Sequence, residues 1–282
     1  MSYQVHRLNF GSVVIDAAMQ IRGRAPGTTV AVPAQGYLIV GGDAPILVDA
    51  GYRDPSVLGS GGVVGEGQGF ADQLALYGVE PGDLGYVVMT HLHRDHAGHL
   101  DKVPMSVPVV VNRSEMSCAF SGVQGLAYAR ADLAHLLDRM YTRGALHYLD
   151  LDYSGPVELM PGISCHATGG HTAGSMSIIV DTTAGQACLC GDLIYDVEAA
   201  LRAQPGLTPM AGVQACFFGH QEPAVTNNFT TSVVQELGAL KRLARYRFVL
   251  PAHDTPAVLD RGQLIGRING PTIPGHITPI EL

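Results

Sequence analysis

The nine residues Thr90-His91-Leu92-His93-Arg94-Asp95-His96-Ala97-Gly98 constrain this chain more than any other stretch. Three imidazoles and one carboxylate crowd into six positions, directly after the apolar run Tyr86-Val87-Val88-Met89. A single exposed histidine is an ordinary surface residue, but four such groups on one tight turn repel one another when protonated. They are also costly to bury unless a cation organises them. Imidazole nitrogen and carboxylate oxygen are the ligands of zinc-like ions. His91 and His93 alternate and point the same way, whereas Asp95 and His96 come off the following turn and can address a second centre. A metal centre at the end of a strand is the favoured reading.

Other polar residues stand where further ligands are needed. Gly169-Gly170-His171-Thr172-Ala173-Gly174 sets a histidine among small residues that let backbone approach closely. Gly191-Asp192 follows the apolar strand pattern Gln186–Cys190, and Pro251-Ala252-His253-Asp254 follows Phe248-Val249-Leu250. Each is weak alone. Together with the first run they supply five histidines and two aspartates, enough for two ions with a position left for water.

The ordered set His91, His93, Asp95, His96, His171, Asp192 and His253 resembles that of the metallo-β-lactamase superfamily and spans nearly the whole chain. The resemblance implies an α/β fold, an αββα sandwich of two mixed sheets flanked by helices, with the metals at one edge. It also implies that His91, His93 and His171 hold one zinc ion, that Asp95, His96 and His253 hold the other, and that Asp192 and a hydroxide bridge them. Val111-Asn112-Arg113-Ser114-Glu115, Gly191-Asp192-Leu193-Ile194-Tyr195 and the closing Pro251–Asp254 are similar to the N-acyl-homoserine lactonase branch. In that branch a tyrosine three residues past the bridging aspartate lies over the metals, and Tyr195 matches it. The implied reaction opens a lactone ring by attack of the metal-bound hydroxide on a polarised carbonyl. Tyr195 would donate to the carbonyl or the oxyanion, and Asp192 would pass a proton to the leaving alkoxide. Other small cyclic esters or amides, such as a pyridoxolactone, stay open as substrates. An iron-dependent dioxygenase on the same scaffold fits less well, because the second ligand set with Asp95 and His96 is complete. A homodimer is the oligomer the resemblance suggests.

Arg94 departs from the pattern, since the branch often carries an apolar or aromatic residue there. Facing the pocket, it would contact a polar or anionic part of the substrate; otherwise it is a solvent-facing or salt-bridged neighbour of Asp95. Met19, Ile21 and Phe70 line the substrate pocket by analogy, or simply pack in the core or at the surface. His220, in Phe217-Phe218-Gly219-His220, imitates a strand-end ligand and is assigned to the pocket wall, with His253 preferred as the ligand. The remaining histidines, His6, His99, His135, His147, His166 and His276, are read as structural.

The other segments read as many short elements. Tyr37–Val40 and Ile46–Asp49 form a hairpin around Gly41-Gly42-Asp43-Ala44-Pro45. Residues 59–69 form a Gly-rich loop, either a plain surface loop or a lid. Phe70–Tyr77 is a short helix, and Val107–Val111, Ile163–Ala167 and Ser175–Val180 are strands. Residues 114–143 carry a helical period with Ser114 as the N-cap. Thr230–Arg245 is an amphipathic helix with Val233, Leu237, Leu240 and Ala244 on one face, and Phe248–Leu250 is the final strand. The expectation is one domain over 1–282 with a helical insertion near 114–147.

Charge and composition narrow the partners. Lys and Arg number 17 against 25 Asp and Glu, a net charge of −8, which disfavours nucleic acid or anionic membrane as a partner. Five cysteines without paired metal spacing read as reduced, packed thiols. The N-terminal residues lack the apolar run of a signal peptide, and no apolar stretch is long enough to span a bilayer. These features predict a cytoplasmic enzyme acting on a small molecule.

Overall fold

The computed structural model describes residues 2–20, 26–55, 62–202, 232–273 and 277–279. Two mixed sheets form its centre. The first runs in the order β14 (Thr272–Ile273), β1 (Gln4–Asp16), β2 (Thr29–Val40), β3 (Ile46–Val48), β4 (Tyr86–Val88), β5 (Val109–Asn112), β6 (Leu146–Leu149). The second runs β15 (Ile277–Pro279), β13 (Gln263–Ile268), β12 (Ala257–Asp260), β11 (Phe248–Pro251), β10 (Gly185–Gly191), β9 (Met176–Thr182), β8 (Ile163–Ala167), β7 (Val157–Met160). Strands β3 to β6 are parallel, and β10 pairs parallel with β11. The other pairings are antiparallel.

The layering follows from side-chain alternation along strands buried on both faces. In β5, Val110 packs between the sheets while Val109 and Val111 face the helices of the first sheet. In β10, Ala187 and Leu189 join the inter-sheet core, and Cys188 and Cys190 face the opposite helices. The helices on the first side are α2 (Phe70–Ala75), α4 (Arg113–Phe120) and α5 (Arg130–Met140). The single turn α6 (Leu151–Ser154) follows β6, and the helices on the far side are α7 (Val197–Arg202) and α8 (Val233–Leu243). The result is the expected αββα sandwich, with the cysteine pair buried and unbridged. No helix among the described residues is long and apolar enough to cross a membrane.

Several local expectations change. Residues 114–143 are two helices, α4 and α5, not one, and Leu146 and His147 already belong to β6, the edge strand beside β5. Ser114 lies inside α4; Asn112 holds the N-cap position. Its side-chain oxygen accepts from Leu151 N–H and its amide donates to the Gly174 carbonyl, so it serves tertiary contacts instead. Phe248–Pro251 is not the final strand. The turn at Arg261-Gly262, both at positive φ, reverses the chain from β12 into β13. In α8 the buried residues among those described are Glu236, Ala239, Leu240 and Leu243, so Leu240 of the expected face is buried and Leu237 only partly. Of the 59–69 loop, Val63 is tied to β1 by two hydrogen bonds with Ser12, both 2.9 Å.

Candidate metal centre

The ends of β3, β4, β5, β10 and β11 open onto one edge of the sandwich, where the sheets meet. In open α/β sheets this is where sites form. Thr90 to His96 leave β4, with Arg94–Ala97 forming the single turn α3. His171 sits in the β8–β9 corner, Asp192 follows β10, and His253 follows β11. The two sheets approach closely here. A Cβ on Gly191, which has φ +52°, would lie 2.6 Å from Thr90 Oγ1, so only glycine brings Asp192 this near the β4 turn.

All seven expected ligands converge. His91, His93, His171 and Asp192 place ligand atoms within 4.8 Å of one another, and so do Asp95, His96, Asp192 and His253. Asp192 belongs to both groups and divides its oxygens between them. Its Oδ2 lies 3.4 Å from His171 Nε2 and 3.8 Å from His91 Nε2. Its Oδ1 lies 3.0 Å from His96 Nε2 and 3.2 Å from His253 Nε2. Asp95 Oδ2 is 3.1 Å from His253 Nε2, and His93 Nδ1 is 2.9 Å from His171 Nε2. His91 Nε2 and His96 Nε2 are buried yet make no hydrogen bond. Buried nitrogens aimed at shared carboxylate oxygens are the donor set of two divalent cations, and these residues fit such a pair.

The opposite ring nitrogens are anchored, which sets how each ring faces. His96 Nδ1 contacts Asp49 Oδ2 at 2.7 Å, and His253 Nδ1 contacts the Pro33 carbonyl at 2.7 Å. His91 Nδ1 lies 3.1 Å from Thr90 Oγ1, and His93 Nε2 lies 3.4 Å from Gln124 Oε1. Asp49 also accepts from Thr90 N–H and Oγ1–H, at 2.8 and 2.7 Å. Burial pulls His91 well below the usual imidazole range and His93 down to about 3, and it lowers His171 as well. These rings therefore present lone pairs. Burial also opposes charge on His96 and His253, but the carboxylates around them prevail, raising His96 well above its usual range and His253 to about 10. Asp95 is held at about 2, because His96 and His253 outweigh the cost of its burial. A bound cation takes over the role of the protons on such imidazoles, since only the neutral ring ligates.

A pocket of about 260 Å³ opens over this cluster. Asp95, Asp192, His171, His253 and Tyr195 reach it from the metal side; Val13, Ile15 and Val32 wall it from β1 and β2, and Leu126 and Ala127 from the α4–α5 connection. Tyr195 Oη donates to Asp192 Oδ2 at 2.6 Å, and its ring stacks on His253 with centroids 5.1 Å apart.

Residues 30–253 match the sequence profile of the metallo-beta-lactamase superfamily. The chain belongs to that superfamily. An N-acyl homoserine lactonase of a Bacillus species is 29% identical over 201 residues, covering 67% of this chain and 74% of the relative. The N-acyl homoserine lactonase AttM of Agrobacterium fabrum is 33% identical over 122 residues, covering 42% and 44%. Among solved structures, an N-acyl homoserine lactone hydrolase with N-hexanoyl-L-homoserine at its metal centre superposes with a TM-score of 0.67 at 21% identity. That match covers 90% of this chain and 94% of the other. A probable metal-dependent hydrolase from Staphylococcus aureus reaches 0.72 at 19% identity, over 95% and 96%. At these identities the structural matches speak for the fold.

Not every residue singled out in this superfamily member reaches the site. Phe70 does not line the pocket: it is buried in the core, stacked on Phe10 and His99. An aromatic opening a helix just after a Gly-rich loop mimics a pocket wall, but α2 turns it inward. Met19 falls in the short helix α1 (Ala17–Gln20), and its side chain lies outside the described residues, as do Ile21 and His220. Arg94 does line the pocket, but its Nη2 donates to the Leu126 carbonyl and, at 3.4 Å, to that of Tyr128. Its guanidinium is therefore held by backbone of the α4–α5 connection and forms no ion pair with Asp95. Sequence reasoning assigned no role to Asp49 or Gln124, and it used Glu115 only as a family marker. Asp49 is the most visible of the three in sequence, since like Asp192 it is a carboxylate that closes an apolar strand pattern.

Proposed function

We propose that this chain is a two-zinc hydrolase that opens a lactone ring, with N-acyl homoserine lactones as its substrate class. The observation that carries this reading is Asp192, which offers one oxygen to each ligand group and accepts the Tyr195 hydroxyl beneath an apolar pocket. The lactonase relatives support the choice of substrate. Two divalent ions held by these seven residues supply Lewis acidity and a water acidic enough to ionise near neutral pH.

The chain's own groups account for the rest. A small polar ring sits against Asp95, Asp192 and Tyr195, while its alkyl tail runs between Val13, Ile15 and Val32 on one side and Leu126 on the other. Tyr195 needs only a short swing of its hydroxyl from Asp192 to donate to the carbonyl oxygen as negative charge builds there. Asp192 is held well below the usual carboxylate range, since the neighbouring His253 and His96 outweigh its burial. Ionised, it takes the proton of the attacking water and returns it to the ring oxygen as the acyl C–O bond breaks. One water is consumed and a hydroxy acid is released. Arg94 commits its Nη2 to backbone carbonyls of the pocket wall, and Val13, Ile15, Val32 and Leu126 are the side chains that favour an alkyl substituent.

Residues 1–282 are read as a single domain because the ligands come from both sheets. The test is a panel of lactones of varied ring and acyl chain, followed by acid release at constant pH, with metal analysis of the same preparation. Turnover of acyl homoserine lactones by protein carrying two zinc ions is expected. No turnover of any lactone refutes the activity, and a single iron ion per chain refutes the metal assignment.

A further inference from the structure

Glu115 is as deeply buried as the ligands, at 1% exposure, yet its side-chain hydrogen-bond partners are not ligand side chains and it does not line the pocket. It is the third residue of α4, where a glutamate ordinarily turns back to cap its own helix. Here it reaches across to three other segments. Oε1 accepts the Leu92 N–H at 2.9 Å and the Tyr128 hydroxyl at 3.1 Å; Oε2 accepts the Thr172 hydroxyl. Leu92 lies between His91 and His93, Thr172 follows His171, and the Tyr128 ring stands edge-on to His93 with centroids 4.8 Å apart.

We propose that Glu115 is a positioning residue that clamps the His91–His93 turn to the His171 turn, and so sets the affinity of one metal position and not the other. This rests on the two-metal reading above. The argument is geometric. Fixing the Leu92 peptide fixes the direction of the two alternating rings on either side of it, and fixing Thr172 does the same for His171. The closeness is built in: a Cβ on Gly174 would fall 1.9 Å from Glu115 N, so that corner fits against α4 only with glycine. The second position is braced by other groups, His96 by Asp49 and His253 by the Pro33 carbonyl. A carboxylate in this place is costly, since its hydrogen-bond partners are neutral and burial pushes its carboxyl up. A cation held by His91, His93 and His171 would offset that cost.

The test is chelator competition on the zinc-loaded protein, counting ions released against concentration of a chromogenic chelator, for wild type, Glu115→Gln and Thr172→Val. Glutamine keeps the shape and the acceptor for Leu92, but sets an N–H₂ against the Thr172 hydroxyl. Wild type should hold two ions. In Glu115→Gln one ion should leave at about 10- to 100-fold lower chelator concentration, the range for lost outer partners of a metal site, while the other leaves as in wild type. Thr172→Val should shift the same ion less. Both ions shifting by one common factor would overturn the proposal, because that is general loosening, and so would no shift in either. Should Glu115→Gln fail to fold, Thr172→Val decides, and unshifted release there overturns it. Wild type holding fewer than two zinc ions refutes the two-metal reading itself, a result separable from the others.

Discussion

Among the described residues Arg139 has no acidic partner, although it is fully buried on α5. Its guanidinium instead gathers carbonyls: Nη1 donates to Val107 and Ala145, and Nη2 to Leu100, Val103 and Pro104. The carbonyls of Leu100, Pro104 and Ala145 also accept backbone N–H groups from Val103, Val107 and Val109. Those of Val103 and Val107 rest on Arg139. Arg139→Met keeps the length of the stem and removes the fork, leaving two buried acceptors unsatisfied at about 1–3 kcal/mol each. Relief of the buried charge returns part of that. The net loss should be about 2–4 kcal/mol, read as a lower urea midpoint with an unchanged slope. Arg139→Lys should recover only a fraction, because a point ammonium cannot span carbonyls on both sides of the fork. A Met variant within about 1 kcal/mol of wild type would refute the reasoning, for then the carbonyls find partners without the guanidinium.

Three further outcomes bear on the site. Tyr195→Phe keeps the ring stacked on His253 and loses the hydroxyl bonded to Asp192, so kcat on a lactone should fall about 10- to 150-fold, the worth of one hydrogen bond to charge, with metal content intact. Unchanged kinetics would remove Tyr195 from the mechanism. Arg94→Ala frees the carbonyls that hold the Leu126 wall, and KM for long-chain substrates should rise about fivefold, with short-chain ones affected less; a loss confined to carboxylate-bearing lactones would instead mean direct contact. Asp49→Asn takes the carboxylate from His96 Nδ1 and should weaken retention of an ion about 10- to 100-fold on dialysis against chelator. Retention equal to wild type would show that Thr90 and the backbone hold that turn unaided.

The strands were legible wherever apolar runs were short and bounded by turn residues. Val109–Val111 and Gln186–Cys190 lie close to where composition placed them, because strands buried on both faces must be apolar throughout. The break between α4 and α5 was legible in Ser121-Gly122 and Gly125, which interrupt the helical period, and Gly122 takes φ +81°. Where the connection docks was not: the Arg94 N–H bonds the Ala127 carbonyl at 2.9 Å. A long-range contact of that kind leaves no local periodicity to read. Phe70 failed as a pocket residue for the same reason, since which face of a short helix turns inward depends on what packs above it.

Local sequence carried the chemistry. Ligand types and spacing are properties of single turns, and His91, His93, Asp95 and His96 could serve no bland purpose on so tight a run. The tertiary structure decided how that chemistry is held. Asp49, Glu115 and Arg94 each act on segments 23 to 57 positions away, on Thr90 and His96, on Leu92 and Thr172, and on Leu126 and Tyr128. A carboxylate after a strand looks alike in sequence whether it binds a cation, orients the residue that does, or joins two loops. Only the distance from its oxygens to the other segments tells these apart, and that distance exists only once the two sheets have packed.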